Sequence, residues 1–506
     1  MAAPVLPTTR VVETHVSTLL FLDGLVYKRK KALDLGFVDF RDRASRRRAC
    51  QEEVRLNRRL SPDVYLGVAE VLGVDGAPCE SLVVMREMPP QTRLASLVAD
   101  GHDVQAPLEV IASLLARLHG KSPAPDRLRS VATASGLLDL WEQGTRASRQ
   151  LTHILDAGVT ERIGLLARSW LVGRESLLLS RQHRVVDGHG DLLADDVFLL
   201  PDGPRILDCL EFDERLRICD GLSDAAFLAM DLERLGAPAL ARQFLDAYRR
   251  DARDLAPAGL EDHYLAYRAH VRSKVTALRA VQQGAPEIPQ QARDLAALSL
   301  AHLERAHVRL VVVGGLPGSG KTTLARELAA QRPWLSLSSD EVRATLQVSQ
   351  DRAGFAEGKY SAEATARTYK ALFARAQAAL AEGVSVVLDA SFIDPHQRAQ
   401  ARVIARQSGA SLTEVHCTVE PALAEARIKT RAPGPSDATP TVRRLMAARE
   451  ASWPEATQVD TASVNAEALL AALSLVGPLD DTRLVGPPAS QRRTYPPTEA
   501  PGLPKG

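Results

Sequence analysis

Arg309-Leu-Val-Val-Val-Gly-Gly315-Leu316-Pro317-Gly318-Ser319-Gly320-Lys321-Thr322-Thr323 decides the reading of the second half of the chain. An apolar strand, Arg309–Val313, runs into a glycine-rich loop of the form GxxxxGK[ST], and a helical pattern follows. That order of elements is the context in which such a loop binds phosphate. The glycines let backbone N–H groups converge on an anion, and the helix N-terminus adds its dipole. Lys321 can then reach the terminal phosphates, and Thr322 can ligate Mg²⁺.

Working outward, Leu335–Leu337 and Val384–Leu388 read as further buried strands, and Ser411–Cys417 as a fourth. A helix starting near Ser361 lies between the second and third, with Tyr369, Leu372, Phe373 and Leu380 on one stripe. Strands alternating with helices imply a parallel α/β sheet covered on both faces. Asp340 and Arg343 follow the second strand, at the carboxyl edge where such sheets bind ligands. Asp340 is placed to take a proton from an acceptor hydroxyl, and Arg343 to hold an anionic group of that acceptor; the plainer reading makes Asp340 a helix cap. Asp389, at the end of the third strand, is a candidate metal-water carboxylate. Arg427 and Arg431 are four apart and are expected to share a helix face as a lid over the phosphates.

The first half carries a second constellation. Asp23-Gly24 joins two apolar runs as a hairpin, and a basic helix follows from Arg43 to about Leu60. His189-Gly190-Asp191 is followed by Asp196, and Asp208 stands seventeen positions after Asp191. This spacing matches a kinase catalytic loop followed by a strand-end metal carboxylate. Asp191 would accept the hydroxyl proton, and Asp196 and Asp208 would hold Mg²⁺. Lys28 is placed to meet nucleotide phosphates and Glu53 to pair with it, although Lys30 points to the same strand face as Lys28. Val83–Met88 would pass over the adenine.

These residues resemble two known groups. From Arg309 to Leu473 the chain is similar to small P-loop kinases that phosphorylate hydroxyls, including polynucleotide 5′-hydroxyl kinase, zeta-toxin-like and gluconate-kinase-like branches. In the first of these branches the Asp of the Asp340/Arg343 pair is the general base and the Arg binds acceptor phosphate. From Val11 to Val281, the run Asp-Gly-His-Gly-Asp-Leu, Asp208-Cys-Leu-Glu-Phe and Asp220…Asp224 resembles aminoglycoside phosphotransferase-like kinases. That group usually has Asn where Asp196 stands and often His where Leu193 stands. The whole chain looks like bacterial fusions of the two. The resemblance implies a two-lobed protein-kinase-like domain over 1–300, a P-loop domain over 305–476 and a proline-rich tail over 477–506, expected to be disordered. It implies ATP with Mg²⁺ as cofactors, and transfer of the γ-phosphate to a small-molecule or 5′-hydroxyl nucleic-acid acceptor. The other reading is a regulatory protein, with a non-catalytic kinase-like module and a P-loop nucleotide switch.

Composition limits the alternatives. The 506 residues are 45% hydrophobic and 25% charged, and 63 Lys+Arg against 62 Asp+Glu leave a formal net charge of +1. No global charge draws the protein to nucleic acid, and the arginine-rich stretch from Arg41 to Arg59 has no interleaved aromatics for base stacking. No apolar run reaches membrane-spanning length. The five cysteines show no CxxC spacing. The expectation is a cytoplasmic protein with no membrane association and no obligatory protein partner.

Overall fold

The computed structural model describes residues 10–14, 16–34, 39–283, 286–331, 334–346, 361–431, 436, 438–462 and 472. The chain divides into two compact units: residues up to Arg309 with Gln377–Val384 and Arg402–Ser411, and Leu310–Ala376 with Ser385–Ala401 and the residues from Leu412 on. The expected tail, and the end of the P-loop region beyond residue 472, lie outside the described residues.

The first unit opens with β1 (Arg10–Glu13), β2 (Ser17–Leu22), β3 (Leu25–Lys30), α1 (Arg43–Asn57), β4 (Tyr65–Leu72) and β5 (Pro78–Arg86). The strands form one antiparallel sheet in the order β1-β2-β3-β5-β4. Asp23 and Gly24 make the hairpin turn, both with positive φ (52° and 76°), the two-residue geometry that matches strand twist. Along β3 the side chains alternate, so Val26, Lys28 and Lys30 are buried on one face while Arg29 is exposed. Helix α1 is capped by Asp42, whose carboxylate accepts from the Ser45 amide. It ends at Asn57, short of the expected Leu60. Its basic face is neutralised: Arg43 and Arg47 pair with Glu70, Arg46 with Glu80 and Arg55 with Glu52.

A helical lobe follows: α2 (Leu94–Ala99), α3 (Gln105–Lys121), α4 (Ala134–Ser148), α5 (Ala157–Leu171) and α6 (Glu175–Ser180). The chain then threads β6 (Val185–Asp187), β7 (Val197–Leu200), β8 (Gly203–Ile206), α7 (Glu214–Arg217) and β9 (Ile218–Asp220), which pair as β6-β9 and β7-β8. Helices α8 (Gly221–Arg234), α9 (Pro238–Asp251), α10 (Ala258–Gln283) and α11 (Ile288–Ala306) complete the unit. The stretch 282–291 reads in the sequence as a connector, but α11 starts inside it. Pro289 sits in the first turn of α11, where its missing N–H costs nothing. Ser273 and Ser299 hydroxyls then donate to the Ala292 and Ala266 carbonyls, lacing α10 to α11.

The second unit contains, wholly or in part, β10 (Arg309–Gly314), α12 (Lys321–Ala330), β11 (Leu335–Ser338), α13 (Ser339–Thr345), α14 (Ala362–Ala381), β12 (Val386–Asp389), α15 (Pro395–Gln407), β13 (Ser411–Thr418), α16 (Pro421–Thr430), α17 (Pro440–Ala447) and β14 (Thr457–Asp460). Its sheet runs β11-β12-β10-β13-β14, with β10-β12, β11-β12 and β13-β14 parallel. Residues 310–313 and 386–388 are buried without alternation, as a sheet covered on both faces requires. Val311, Val313, Val387 and Val415 form its core with Leu324 and Leu328 of α12. Strand β14 has no counterpart in the sequence reading, because Thr457-Gln-Val-Asp460 holds a single apolar residue.

Candidate active sites

In the second unit the chain leaves β10 at Gly314 and turns through Gly315, Gly318 and Gly320, with φ of 141°, 79° and 80°. A side chain at Gly315 would stand 2.6 Å from the Cys417 carbonyl, and one at Gly318 2.5 Å from the Ala424 carbonyl. Backbone conformation and close approach both demand glycine. Gly320 is the N-cap of α12, so Lys321 and Thr322 open that helix, and Thr323 is exposed. Ser319 is buried and its hydroxyl has no partner. Thr461, just beyond β14, steadies the loop by donating from Oγ1 to the Ser319 carbonyl at 2.6 Å.

Asp389 is the last residue of β12, at the strand end the sequence predicts, and lies opposite Val313 in the register. Burial pushes its carboxyl upward, against the pull of the Lys321 charge and hydrogen bonds from Thr322 and Ser338. Its Oδ1 is buried without a partner. An orphaned carboxylate oxygen beside the Thr322 hydroxyl fits a cation. Among the described residues no three His, Cys, Asp or Glu side chains gather as a metal cluster. Mg²⁺ takes one or two carboxylates and completes its shell with phosphates and water, so Asp389 and Thr322 are the residues that would hold it.

Asp340 and Arg343 lie on α13, and Arg343 Nη1 donates to Asp340 Oδ1 at 2.5 Å. The N-cap of α13 is Ser338, so Asp340 is not the cap. Lys321, Asp340 and Arg343 share a cavity of about 910 Å³ with Pro317, Lys370 and His396. Phe392 lies in the chain between Ser391 and Ile393, two of the cavity's lining residues, with φ of 50°, unusual for a bulky residue. Its backbone N–H donates to the Tyr369 hydroxyl at 3.1 Å, which ties this turn to α14.

The expected arginine face divides. Arg427 lies within α16 and donates to the Thr461 carbonyl at 2.7 Å, next to the phosphate loop. Arg431 is beyond the helix end with extended backbone (φ −64°, ψ 133°) and donates to the Ser436 carbonyl at 2.6 Å. The shared face is therefore corrected: α16 stops at Thr430, and the four-residue spacing no longer aligns the two side chains. A third arginine, Arg443 of α17, is buried and donates to the Pro317 carbonyl of the phosphate loop at 3.1 Å. No sequence signal marks it, because it lies 126 positions from its partner.

In the first unit, Lys28 Nζ is 2.8 Å from Glu53 Oε1 and 2.5 Å from Asp208 Oδ1. Lys30 sits 2.6 Å from Glu53 Oε2 and also pairs with Glu211. Both lysines thus meet Glu53, and Lys28 is the one that reaches Asp208. Burial alone would lower the Lys28 pKa, yet Asp208, Glu53 and Glu211 hold it well above the ordinary value. The Lys28 charge likewise brings Asp208 down to about 2. Asp208 has φ of 63°, a strained position of the kind found at functional sites. Glu211 lies within the Asp208-Cys-Leu-Glu-Phe motif, but nothing in that motif reveals its role, since its lysine partner is 181 positions away.

Asp191 and Asp196 complete the group. Asp191 is paired with Arg272 of α10 at 3.0 Å. The Asp196 carboxyl is pushed well up by desolvation and by Asp208 and Asp191. His189 is a brace: its backbone N–H donates to Asp224 Oδ2 at 2.8 Å, and its Nε2 lies 2.9 Å from the Leu207 carbonyl. Asp224 also accepts from the Gly190 amide at 2.8 Å and faces His119 Nε2 at 3.0 Å. His119 is structural, as its place at the end of an apolar helix implies.

The AAA domain family model matches residues 310–452. An uncharacterized protein of Mycobacterium tuberculosis is 38% identical over 463 residues, covering 90% of this chain and 93% of the relative. An uncharacterized protein of Mycobacterium bovis matches with the same identity and coverage. Among solved structures, a choline/ethanolamine kinase family protein from Mesorhizobium loti is 14% identical with a TM-score of 0.39, covering 60% of this chain and 94% of its own. A sugar kinase from Janibacter sp. is 20% identical with a TM-score of 0.27, covering 33% and 94%.

Proposed function

We propose, for a chain that belongs with these mycobacterial proteins in one family of aminoglycoside-phosphotransferase-like and P-loop kinase fusions, that it transfers the γ-phosphate of ATP to a hydroxyl acceptor. The P-loop unit is assigned as the principal site. The observation that carries the reading is the grouping of Lys321, Asp340 and Arg343 around one cavity. A nucleotide switch needs the phosphate loop but has no use for a carboxylate and a guanidinium aimed at a second substrate.

In this reading the backbone of Gly315–Thr322 and the Lys321 ammonium bind the phosphates. Thr322 and Asp389 would hold Mg²⁺, which supplies charge neutralisation at the phosphates. Asp340 accepts the proton of the acceptor hydroxyl. The acceptor oxygen bonds to the γ-phosphorus, and the bond to the β–γ bridging oxygen breaks with its electron pair leaving on ADP. Arg343 orients Asp340 and an anionic group of the acceptor, and Arg427 steadies the loop. In the first unit, Lys28, held in place by Glu53, binds nucleotide phosphates, Asp191 is the base, and Asp196 and Asp208 would hold Mg²⁺.

The test is phosphate transfer from labelled ATP to a panel of hydroxyl metabolites and 5′-hydroxyl oligonucleotides, run on the full chain and on Lys321→Ala. Transfer to one acceptor class that falls with Lys321→Ala supports the reading. ATP binding with no transfer to any acceptor favours the switch.

A further inference from the structure

Helix α10 brings a cation to the catalytic loop of the first unit that the kinase motif does not account for. Arg272 Nη1 stands 3.0 Å from Oδ2 and 3.4 Å from Oδ1 of Asp191. The two side chains are 21% and 34% exposed, so both remain accessible to a ligand. Both contacts to Asp191 are made through Nη1. The planar guanidinium keeps further donors on Nε and Nη2.

The charge balance around it explains why a cation is needed there. Lys28 is engaged with Asp208 and Glu53. The catalytic loop supplies no Lys or Arg: residues 189–196 read His-Gly-Asp-Leu-Leu-Ala-Asp-Asp. His189 is fully buried, and burial lowers its pKa, so it offers no charge. With Asp196 and Asp208 assigned to Mg²⁺, Asp191 is the loop carboxylate a transferring phosphoryl group would meet, and Arg272 is the cation bound to it. Fixed donors aimed at charge that develops during reaction are among the largest contributors to catalysis.

We propose that Arg272 is a further catalytic residue of the first unit, a guanidinium held on Asp191 that contacts the transferring phosphoryl group of ATP. This rests on the reading of that unit as a phosphotransferase. In the step, the acceptor oxygen forms its bond to the γ-phosphorus while the bond to the β–γ bridging oxygen breaks, its electron pair leaving on ADP. The hydroxyl proton passes to Asp191, and Arg272 donates to a non-bridging γ-oxygen throughout. A merely structural arginine would fix Asp191 but would not distinguish the transferring group from its surroundings.

The experiment uses the full chain carrying Lys321→Ala, which weakens the phosphate-loop site, and measures binding of Mg·ADP and of Mg·ADP with aluminium fluoride by calorimetry. Binding that disappears with a further Asp208→Ala belongs to the first unit. The transition-state mimic should bind there at least roughly a hundredfold more tightly than Mg·ADP. Arg272→Gln, which keeps a neutral donor for Asp191, should remove most of that preference and leave Mg·ADP affinity unchanged; Arg272→Lys should restore part of it. Thermal unfolding of each variant separates loss of the contact from loss of the fold. Retention of the preference in Arg272→Gln overturns the proposal. So does a parent that binds Mg·ADP without any preference, and in that case nucleotide binding by the first unit still stands. If the parent binds no Asp208-dependent nucleotide at all, the phosphotransferase reading of the unit falls with the proposal.

Discussion

Lys28 Nζ lies 2.5 Å from Asp208 Oδ1, although 180 positions separate the two residues in the sequence. The contact joins the antiparallel sheet to the segment after β8, and Glu53 of α1 binds the same ammonium. Lys28, Lys30, Glu53 and Glu211 form a charge network in which Glu53 is wholly buried between two lysines. Burial would raise the Glu53 pKa, but the two ammonium groups bring it below the ordinary value.

Removing Glu53 takes away the carboxylate shared by two buried ammonium groups and leaves Lys28 with Asp208 and Lys30 with Glu211. Breaking a buried ion pair by deleting one partner typically costs about 3–5 kcal/mol, because the remaining charge stays uncompensated. Because each lysine keeps one carboxylate, Glu53→Ala should lower the unfolding free energy of the first unit, read by urea titration, by an amount toward the lower end of that range. Asp208→Ala should cost far less, since the Asp208 side chain is 54% exposed. An equal loss in both variants would mean that Glu53 is not the hub of the network.

Gly318 offers a test confined to the phosphate loop. It holds φ of 79°, and a Cβ there would come 2.5 Å from the Ala424 carbonyl. Gly318→Ala must displace either the loop or α16. Nucleotide affinity should fall at least about tenfold, a loss of about 1.4 kcal/mol, while the first unit keeps its unfolding midpoint. Titration with Mg·ATP alongside urea unfolding reads both.

The features legible in the sequence are those that one segment determines alone. The Arg309–Val313 run, the loop glycines and Lys321 sit within one strand–loop–helix unit, and the structure places them as expected. Asp389 is legible as the residue closing an apolar strand. What the sequence hides depends on pairings between distant segments. Arg443 at the Pro317 carbonyl, Thr461 at the Ser319 carbonyl and Arg272 at Asp191 follow no spacing rule. Lys28 and Lys30 are indistinguishable on one strand face, and the Asp208 contact separates them. Arg431 does not share a face with Arg427 because helix ends are set by local hydrogen bonding, which four-residue spacing does not reveal.

His302 gives the first unit a pH dependence. It is buried between Asp262 at 2.9 Å and Glu233 at 2.8 Å. Burial opposes its charge, but hydrogen bonds to Asp262 and Glu233 raise its pKa above the ordinary 6.5. A raised folded pKa means that the folded state binds the proton more tightly than the unfolded state. The stabilisation is complete below the unfolded value and is lost as pH rises through the folded one. Unfolding free energies from urea titrations between about pH 5.5 and about pH 8.5 should therefore fall as pH rises. The steepest decline one such proton can cause is about 1.4 kcal/mol for each pH unit crossed. His302→Gln should flatten this part of the profile. An unchanged slope would assign the effect to other groups.

Asp340 and Arg343 separate catalysis from binding in the P-loop unit. They are one helical turn apart, joined at 2.5 Å, and face the same cavity as Lys321. Neither belongs to the phosphate loop, so ATP affinity should survive Asp340→Asn. Transfer should not: a general base contributes about 10² to 10⁴ in rate, and an amide cannot accept the hydroxyl proton. Arg343→Ala should instead act mainly on the acceptor's KM, because it removes a contact made in both ground and transition states. It will also lower kcat modestly if Arg343 orients Asp340. Asp389→Ala should behave differently from both, shifting the Mg²⁺ concentration needed for half-maximal activity. Nucleotide titration and transfer rates at saturating ATP, measured for each variant across a Mg²⁺ series, distinguish these outcomes. Full transfer by Asp340→Asn would remove the base from the proposed mechanism. Loss of ATP binding in the same variant would make the carboxylate part of the nucleotide site and favour the switch.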